Sequence, residues 1–251
     1  MDDIASQRMI HCLGSDRLNW YLLEHELGLT IIDCGFPAYW QQLQDVLSKR
    51  KRPLTDVKAI VLTHAHNDHK GFAERLRQAS GATVYVHEAD RSLAQSSDNI
   101  PPKGFLRNLW RPAVRRLMAH AMFEAGAFSI QPVRQVSTFS DDERLAIPGG
   151  VLRVIHTPGH TPGHCCLLLE DRQVLFSGDA LVTMNLYSGK HGLPQLLSDG
   201  VNHHSDQALQ SLDRLVSIGR MTMLPGHGKA WRGDMVDAVA IARHYQMDRA
   251  F

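Results

Sequence analysis

The run Thr63-His64-Ala65-His66-Asn67-Asp68-His69, directly after the apolar stretch 57–62, constrains this chain more than any other feature. At the end of an extended strand, His64 and His66 project to the same side, two residues apart. A turn into a following helix then brings Asp68 and His69 round toward that side. Three imidazoles and a carboxylate converging on one point are electrostatically poor without a cation, and they suit Zn²⁺ or a similar divalent ion. At this composition, chance supplies roughly 0.004 occurrences of H-x-H-x-D-H per chain. The fold therefore has to offer a strand end that opens into a helix, with polar side chains gathered beside it.

Three further segments repeat that placement. His156-Thr157-Pro158-Gly159-His160-Thr161-Pro162-Gly163-His164 follows the apolar run 151–155, Ser177-Gly178-Asp179 ends another, and Pro225-Gly226-His227-Gly228 follows the run 221–224. The Pro-Gly pairs enforce tight turns that hold an imidazole on a rigid loop. Taken singly, Gly-Asp and Gly-His are ordinary turn sequences. Together with the two histidine clusters they put candidate ligands at successive strand ends, where metal and substrate sites form in α/β architectures. Strand-like runs at 18–23, 29–33, 57–63, 83–87, 151–156, 165–170, 174–177 and 221–224 alternate with helical periodicity at 39–49, 71–79, 205–216 and 235–246. That alternation predicts an α/β fold. No Pro-, Gly- or Ser-rich linker, repeat or low-complexity tract divides residues 1–251, so one domain is expected. Residues 96–126 depart from the alternation, and Arg111-Pro112 there starts a helix. A helical insertion is expected.

Composition narrows the function. With 27 Lys+Arg against 26 Asp+Glu the formal charge is +1, which argues against a nucleic-acid partner. No apolar run approaches the ~20 residues that span a bilayer, and the first residues carry no basic-then-apolar leader. The four cysteines, Cys12, Cys34, Cys165 and Cys166, form no CxxC pair and read as reduced thiols of a cytoplasmic protein.

The four motifs, in this order and spacing from Asp33 to His227, resemble the metallo-β-lactamase fold superfamily of metal-dependent hydrolases. The resemblance implies a four-layer αββα sandwich. It implies that His64, His66 and His160 hold one metal ion, that Asp68, His69 and His227 hold a second, and that Asp179 bridges the two. Asp33, in Ile31-Ile32-Asp33-Cys34-Gly35, matches the family's early acidic residue and would support the site from behind. His164 matches a frequent histidine of the T-P-G-H-T-P-G-H loop and would hydrogen-bond nearby without touching metal. The implied cofactors are two divalent ions, Zn²⁺ first, with Mn, Fe or Co as alternatives.

The implied chemistry is hydrolysis of an ester, lactone or thioester by a metal-bridging hydroxide, with Asp68 as the catalytic proton carrier. A mononuclear iron oxygenase of the persulfide type and a phosphodiesterase are the alternatives. Some branches fit less well. Only 24 residues follow His227, too few for the glutathione-binding region of glyoxalase II. Secreted β-lactamases lack an aspartate where Asp179 stands. The quorum-sensing lactonases carry a tyrosine three residues after that aspartate, where this chain has Val182; Tyr187 is a weak substitute. Lys103, Arg107, Arg111, Arg115 and Arg116 read mainly as a solvated face, and His203-His204 as exposed loop. The partner is a small-molecule substrate whose binding residues are not legible, and a homodimer is left open. Phe105, Leu106, Leu109, Trp110, Leu117, Met118, Met122 and Phe123, mixed with arginines, predict an insertion that covers the metal site and selects substrate.

Overall fold

A computed structural model describes residues 9–15, 17–96, 110–119, 126, 129–185, 191–198 and 200–247. The first sheet runs in chain order: β1 (Ile10–Gly14), β2 (Asn19–His25), β3 (Gly28–Ile32), β4 (Val57–Val61), β5 (Thr83–His87) and β6 (Ser137–Phe139). Short turns make β1–β2 and β2–β3 antiparallel, whereas β3–β4, β4–β5 and β5–β6 are parallel. Parallel neighbours need crossovers, and helices supply them: α1 (Trp40–Lys49), then α2 (Asn67–Lys70) and α3 (Ala73–Ser80), then α4 (Arg91–Ala94) and α5 (Pro112–Ala119). β7 (Arg144–Ile147), β8 (Gly150–His156), β9 (Cys165–Leu169) and β10 (Val174–Gly178) begin the second sheet. A separate hairpin, β11 (Val182–Met184) and β12 (His191–Gln195), follows. Then come α6 (Ser205–Ser211), β13 (Arg220–Pro225), β14 (Trp231–Asp234) and α7 (Met235–Met247). The second sheet has the order β14-β13-β10-β9-β8-β7, and only β10–β13 is a parallel pair.

Alternation along each strand sorts side chains between two cores. From β9, Cys165, Leu167 and Leu169 point to the first sheet, where they meet Tyr21, Leu23, Ile32 and Val61. Cys166 and Leu168 point the other way, onto Leu212, Leu215, Ala238 and Val239 of the second sheet's helices. On the first sheet's outer face, Leu29, Ile31 and Ile60 pack against Leu43 and Leu47 of α1 and Leu76 of α3. Each of these large side chains contributes about 1.5–3 kcal/mol on burial. The strands buried on both faces are continuous apolar runs, and the result is helix, sheet, sheet, helix: the αββα sandwich.

The eight expected strands and four expected helices all form, and apart from the helix over 205–216 their ends move by at most two residues. The helix expected over 205–216 stays α-helical only through Ser211, and Leu212–Ile218 tightens into a 3₁₀ segment. Six strands, β1, β6, β7, β11, β12 and β14, had no sequence signal strong enough to predict them; β6 and β11 have three residues each. Within the expected insertion, α5 forms with its Pro at the first position. Trp110 is 71% exposed, and the Arg111 guanidinium lies over its ring at 5.0 Å. Lys103, Phe105, Leu106, Arg107, Leu109, Met122 and Phe123 lie outside the described residues, as does Tyr187. No helix among the described residues is long and apolar enough to cross a membrane.

Candidate metal centre

The side chains singled out in the sequence meet at one edge of the sandwich. His64 and His66 follow β4, and the turn α2 swings Asp68 and His69 back toward them. His160 sits on the β8–β9 loop. Asp179 and His227 follow β10 and β13, whose parallel pairing sends both chain ends to the same side, with Gly178 opposite Pro225. Three groups have donor atoms within 4.8 Å of one another: His64, His66 and His160; Asp68, His69 and His227; and His64, His69 and Asp179. Asp179 faces both of the first two groups, with carboxylate oxygens 3.3 Å from His160 Nε2, 3.2 Å from His227 Nε2 and 3.5 Å from His69 Nε2. Asp68 lies at the rim, 3.8 Å from His69 Nε2 and 3.6 Å from His227 Nε2, with its side chain 28% exposed. The others, apart from the partly exposed His66, are buried.

Hydrogen bonds behind the cluster decide which ring nitrogen faces inward. His69 Nδ1 donates to Asp33 Oδ2 at 2.9 Å, and His227 Nδ1 donates to the Arg17 carbonyl at 2.6 Å. His160 Nδ1 donates to Asn202 Oδ1 at 3.0 Å; the Asn202 amide nitrogen is occupied by the Leu197 carbonyl, which fixes its orientation. The Thr63 hydroxyl donates to Asp33 Oδ2 at 2.8 Å and so accepts from His64 Nδ1 at 3.1 Å. In each ring the Nε2 lone pair is thereby turned toward the cluster. His64 Nε2, His69 Nε2, His227 Nε2 and Asp179 Oδ1 are buried with no hydrogen-bond partner among the described residues. Unpartnered polar atoms converging in one place are costly by themselves and fit a bound cation. These borderline nitrogen and carboxylate donors suit Zn²⁺ and its first-row neighbours.

His164 differs. Its Nε2 accepts the Asp179 peptide N–H at 2.9 Å and its Nδ1 donates to Thr157 Oγ1 at 2.8 Å, so neither ring nitrogen is spare. Asp33 combines three functions: it accepts from His69, from Thr63 Oγ1 and from the Thr63 amide at 2.8 Å. It does so from the left-handed backbone region, φ 57°, a conformation Asp tolerates better than most residues. Gly226 has no room for a side chain, since a Cβ there would stand 2.3 Å from Asp179 Oδ1 and 2.8 Å from His69 Cε1.

The protonation states split along the same lines. Burial, reinforced by neighbouring imidazoles, holds His64 and His66 well below the usual histidine range, and burial also lowers His160. For His164, burial and then His160 push it down to about 3. Burial works against the charged form of His69 too, but Asp179, Asp33 and Asp68 outweigh it and lift this ring to about 10. His227 is raised in the same way, burial being overcome by Asp179 and Asp68. Burial alone would raise Asp179, yet His227 and His69 hold it well below the carboxylate range.

Sequence reasoning missed Asn202, the Arg17 carbonyl, Thr63 and Asp90. Asp90 is fully buried just after β5 and accepts from both histidine loops. An acidic residue right after a strand that runs parallel to β4 was a usable signal; Asn202 and Arg17 gave none. His203 and His204 are exposed, yet their backbone amides donate to the His160 and Gly159 carbonyls at 3.2 and 2.8 Å and so steady the His160 loop.

A four-layer sandwich with histidines and aspartates gathered at the strand ends defines a metal-dependent hydrolase fold. The chain belongs to the Metallo-beta-lactamase superfamily, which it matches over residues 14–227. It is similar to "Probable metallo-hydrolase YflN" of Bacillus subtilis (strain 168), 26% identical over 91% of this chain and 89% of that protein. It is also similar to "Acyl-coenzyme A thioesterase MBLAC2" of Homo sapiens, 29% identical over 85% of this chain and 74% of that one. Among solved structures, "TTHA1623 in a di-iron-bound form" superposes with a TM-score of 0.61 at 28% identity, covering 89% of this chain and 93% of that one.

Proposed function

We propose that this chain is a dinuclear hydrolase that cleaves a carboxylic thioester, ester or lactone. The observation that carries the proposal is the pair of donor groups, His64/His66/His160 and Asp68/His69/His227, on either side of one buried carboxylate, Asp179. His64, His66 and His160 would hold one ion, Asp68, His69 and His227 the other, and Asp179 both. Such ions, Zn²⁺ first, supply Lewis acidity and a water acidic enough to attack near neutral pH.

The chain's own residues do the rest. Burial of His64, His69 and Asp179 keeps bulk water from the centre. Asp33, Asn202 and the Arg17 carbonyl occupy the Nδ1–H of His69, His160 and His227, so that Nε2 of each of these rings faces the centre. Asp68, at the exposed rim, is the group able to take a proton at its carboxylate and deliver it to the leaving atom. His164 holds the Asp179 backbone and is not a ligand.

The complete second donor group favours two ions over the single iron of an oxygenase. Val182 is buried in β11 and carries no hydroxyl, which moves lactones below thioesters, and the similarity to an acyl-coenzyme A thioesterase points the same way. The four cysteines are unpaired, three of them buried, in keeping with a cytoplasmic location. The test is elemental analysis of the purified chain combined with a panel of thioesters, esters, lactones and an activated phosphodiester. About two metal ions per chain and chelator-sensitive cleavage of a carbonyl substrate are expected. One iron per fully loaded chain, or activity confined to the phosphodiester, would overturn the proposal.

A further inference from the structure

Asp90 is fully buried at the end of the 3₁₀ turn Glu88–Asp90, between β5 and α4, and it forms no ion pair among the described residues. A carboxylate taken out of water without a cation is costly unless its oxygens are hydrogen-bonded. Three donors meet it. Oδ2 accepts the Ala65 amide at 3.0 Å and the Thr161 hydroxyl at 2.8 Å; Oδ1 accepts the Gly163 amide at 2.7 Å. Ala65 separates His64 from His66, and Thr161 and Gly163 follow His160. One side chain thus joins the two loops that carry His64, His66 and His160, which approach from opposite sheets. The fit is close: a Cβ on Gly163 would lie 2.6 Å from the Asp90 amide nitrogen and 2.7 Å from its Cγ.

The geometry points to Asp90 as the positioning residue of one metal site alone, the His64/His66/His160 site. It hydrogen-bonds to no imidazole among the described residues. Instead it sets the separation of the two loops, and with it the approach of His66 Nδ1 and His160 Nε2, which stand 2.9 Å apart. The Asp68/His69/His227 group has different supports, Asp33 and the Arg17 carbonyl. Loss of Asp90 should therefore weaken one ion and spare the other. The inference rests on the assignment of His64, His66 and His160 to a single ion, and on no assumption about substrate.

The experiment titrates the full chain with Zn²⁺ against a chromophoric chelator and records the absorption spectrum with Co²⁺. In Asp90→Asn, an amide replaces an acceptor with a donor facing another donor. The expected result is about a 10–100-fold weaker affinity for one of two ions, with the Co²⁺ bands of that ion altered and those of the other unchanged. In a His66→Ala background, which removes that site, Asp90→Asn should cost the remaining ion nothing. Thr161→Val, which deletes one of the three donors at constant shape, should give a smaller loss at the same ion, and it decides the matter if Asp90→Asn does not fold. Equal weakening of both ions, or a folded variant with unchanged affinities and spectrum, would overturn the inference. A wild-type chain that binds two ions yet cleaves nothing in the substrate panel would refute the proposed hydrolysis and leave the role of Asp90 standing.

Discussion

Four of the clustered side chains, His64, His66, Asp68 and His69, come from six consecutive residues after β4, whereas His160, Asp179 and His227 arrive from three separate loops of the second sheet. In the contiguous stretch, local geometry does most of the arranging, because a strand end and one helical turn suffice to gather the four. In the dispersed half nothing local brings the residues together. Strand pairing, a glycine without room for a Cβ and hydrogen bonds to distant backbone do it instead. The difference also cuts across the two donor groups: in the Asp68/His69/His227 set nearby carboxylates raise both imidazoles, while burial lowers all three imidazoles of the His64/His66/His160 set. Local sequence thus supplies the candidate ligands' identity, and the assembled sandwich shifts their protonation.

The largest effect should come from the dispersed half. Gly226→Val forces side-chain atoms onto Asp179 Oδ1 and His69 Cε1 and should abolish both hydrolysis and the second ion. Gly192→Val, at a site with nothing within 4 Å of an added Cβ, should leave both intact. If elemental analysis finds two ions in Gly226→Val, tertiary crowding is not what protects that half.

Next in size, Asp68→Ala in the contiguous stretch should lower kcat by about 10²–10⁴, with the circular dichroism spectrum retained. His164→Ala should act mainly on stability. It frees the Asp179 amide inside the core and should cost about 1–3 kcal/mol in denaturant unfolding, while much of the metal stays bound. Equal loss of metal in the two variants would show that His164 is a ligand after all.

A smaller but site-resolved effect is expected in proton release. His69, lifted to about 10, is protonated at pH 7 in the metal-free chain and must lose that proton to bind an ion; His227 is shifted in the same direction by Asp179 and Asp68. Affinity at that site should therefore rise with pH up to about 10. His64, His66 and His160 are lowered and already neutral, so their ion should bind without proton release above neutrality. Calorimetry at pH 7 in buffers of different ionisation enthalpy should separate one proton-releasing ion from one that is not. Identical proton counts for both ions would erase the electrostatic half of the comparison.

The smallest change belongs to the surface. Arg153 bridges Asp142 at 2.8 Å and Glu170 at 3.1 Å, but all three side chains are at least 32% exposed. Arg153→Ala should cost under about 1 kcal/mol and leave metal content alone, as chelator titration would report.

Much of this was legible in the sequence. Apolar runs such as Cys165–Leu169 and Val174–Gly178 read as buried strands because both of their faces are covered. The seven clustered side chains stood out through histidine spacing, Pro-Gly turns and their places after apolar runs, whereas Asp33 was picked out only by the family resemblance. β1 and β14 were not legible, since these edge strands of five and four residues have no buried face and so lack the alternation that marks a strand. The predicted cover from residues 96–126 rests largely on residues outside those described.

The sequence by itself determined which residues could ligate and which runs would become strands, because residue type and two-residue alternation are local properties. Only the tertiary structure decided what holds those residues in place. Asp90 reaches Thr161 and Gly163 from 71 and 73 residues away, Asn202 meets His160 across 42, and His227 leans on the Arg17 carbonyl across 210. Such contacts leave no local pattern, and a backbone carbonyl looks the same at every position in a sequence until the fold brings one within 2.6 Å of an imidazole.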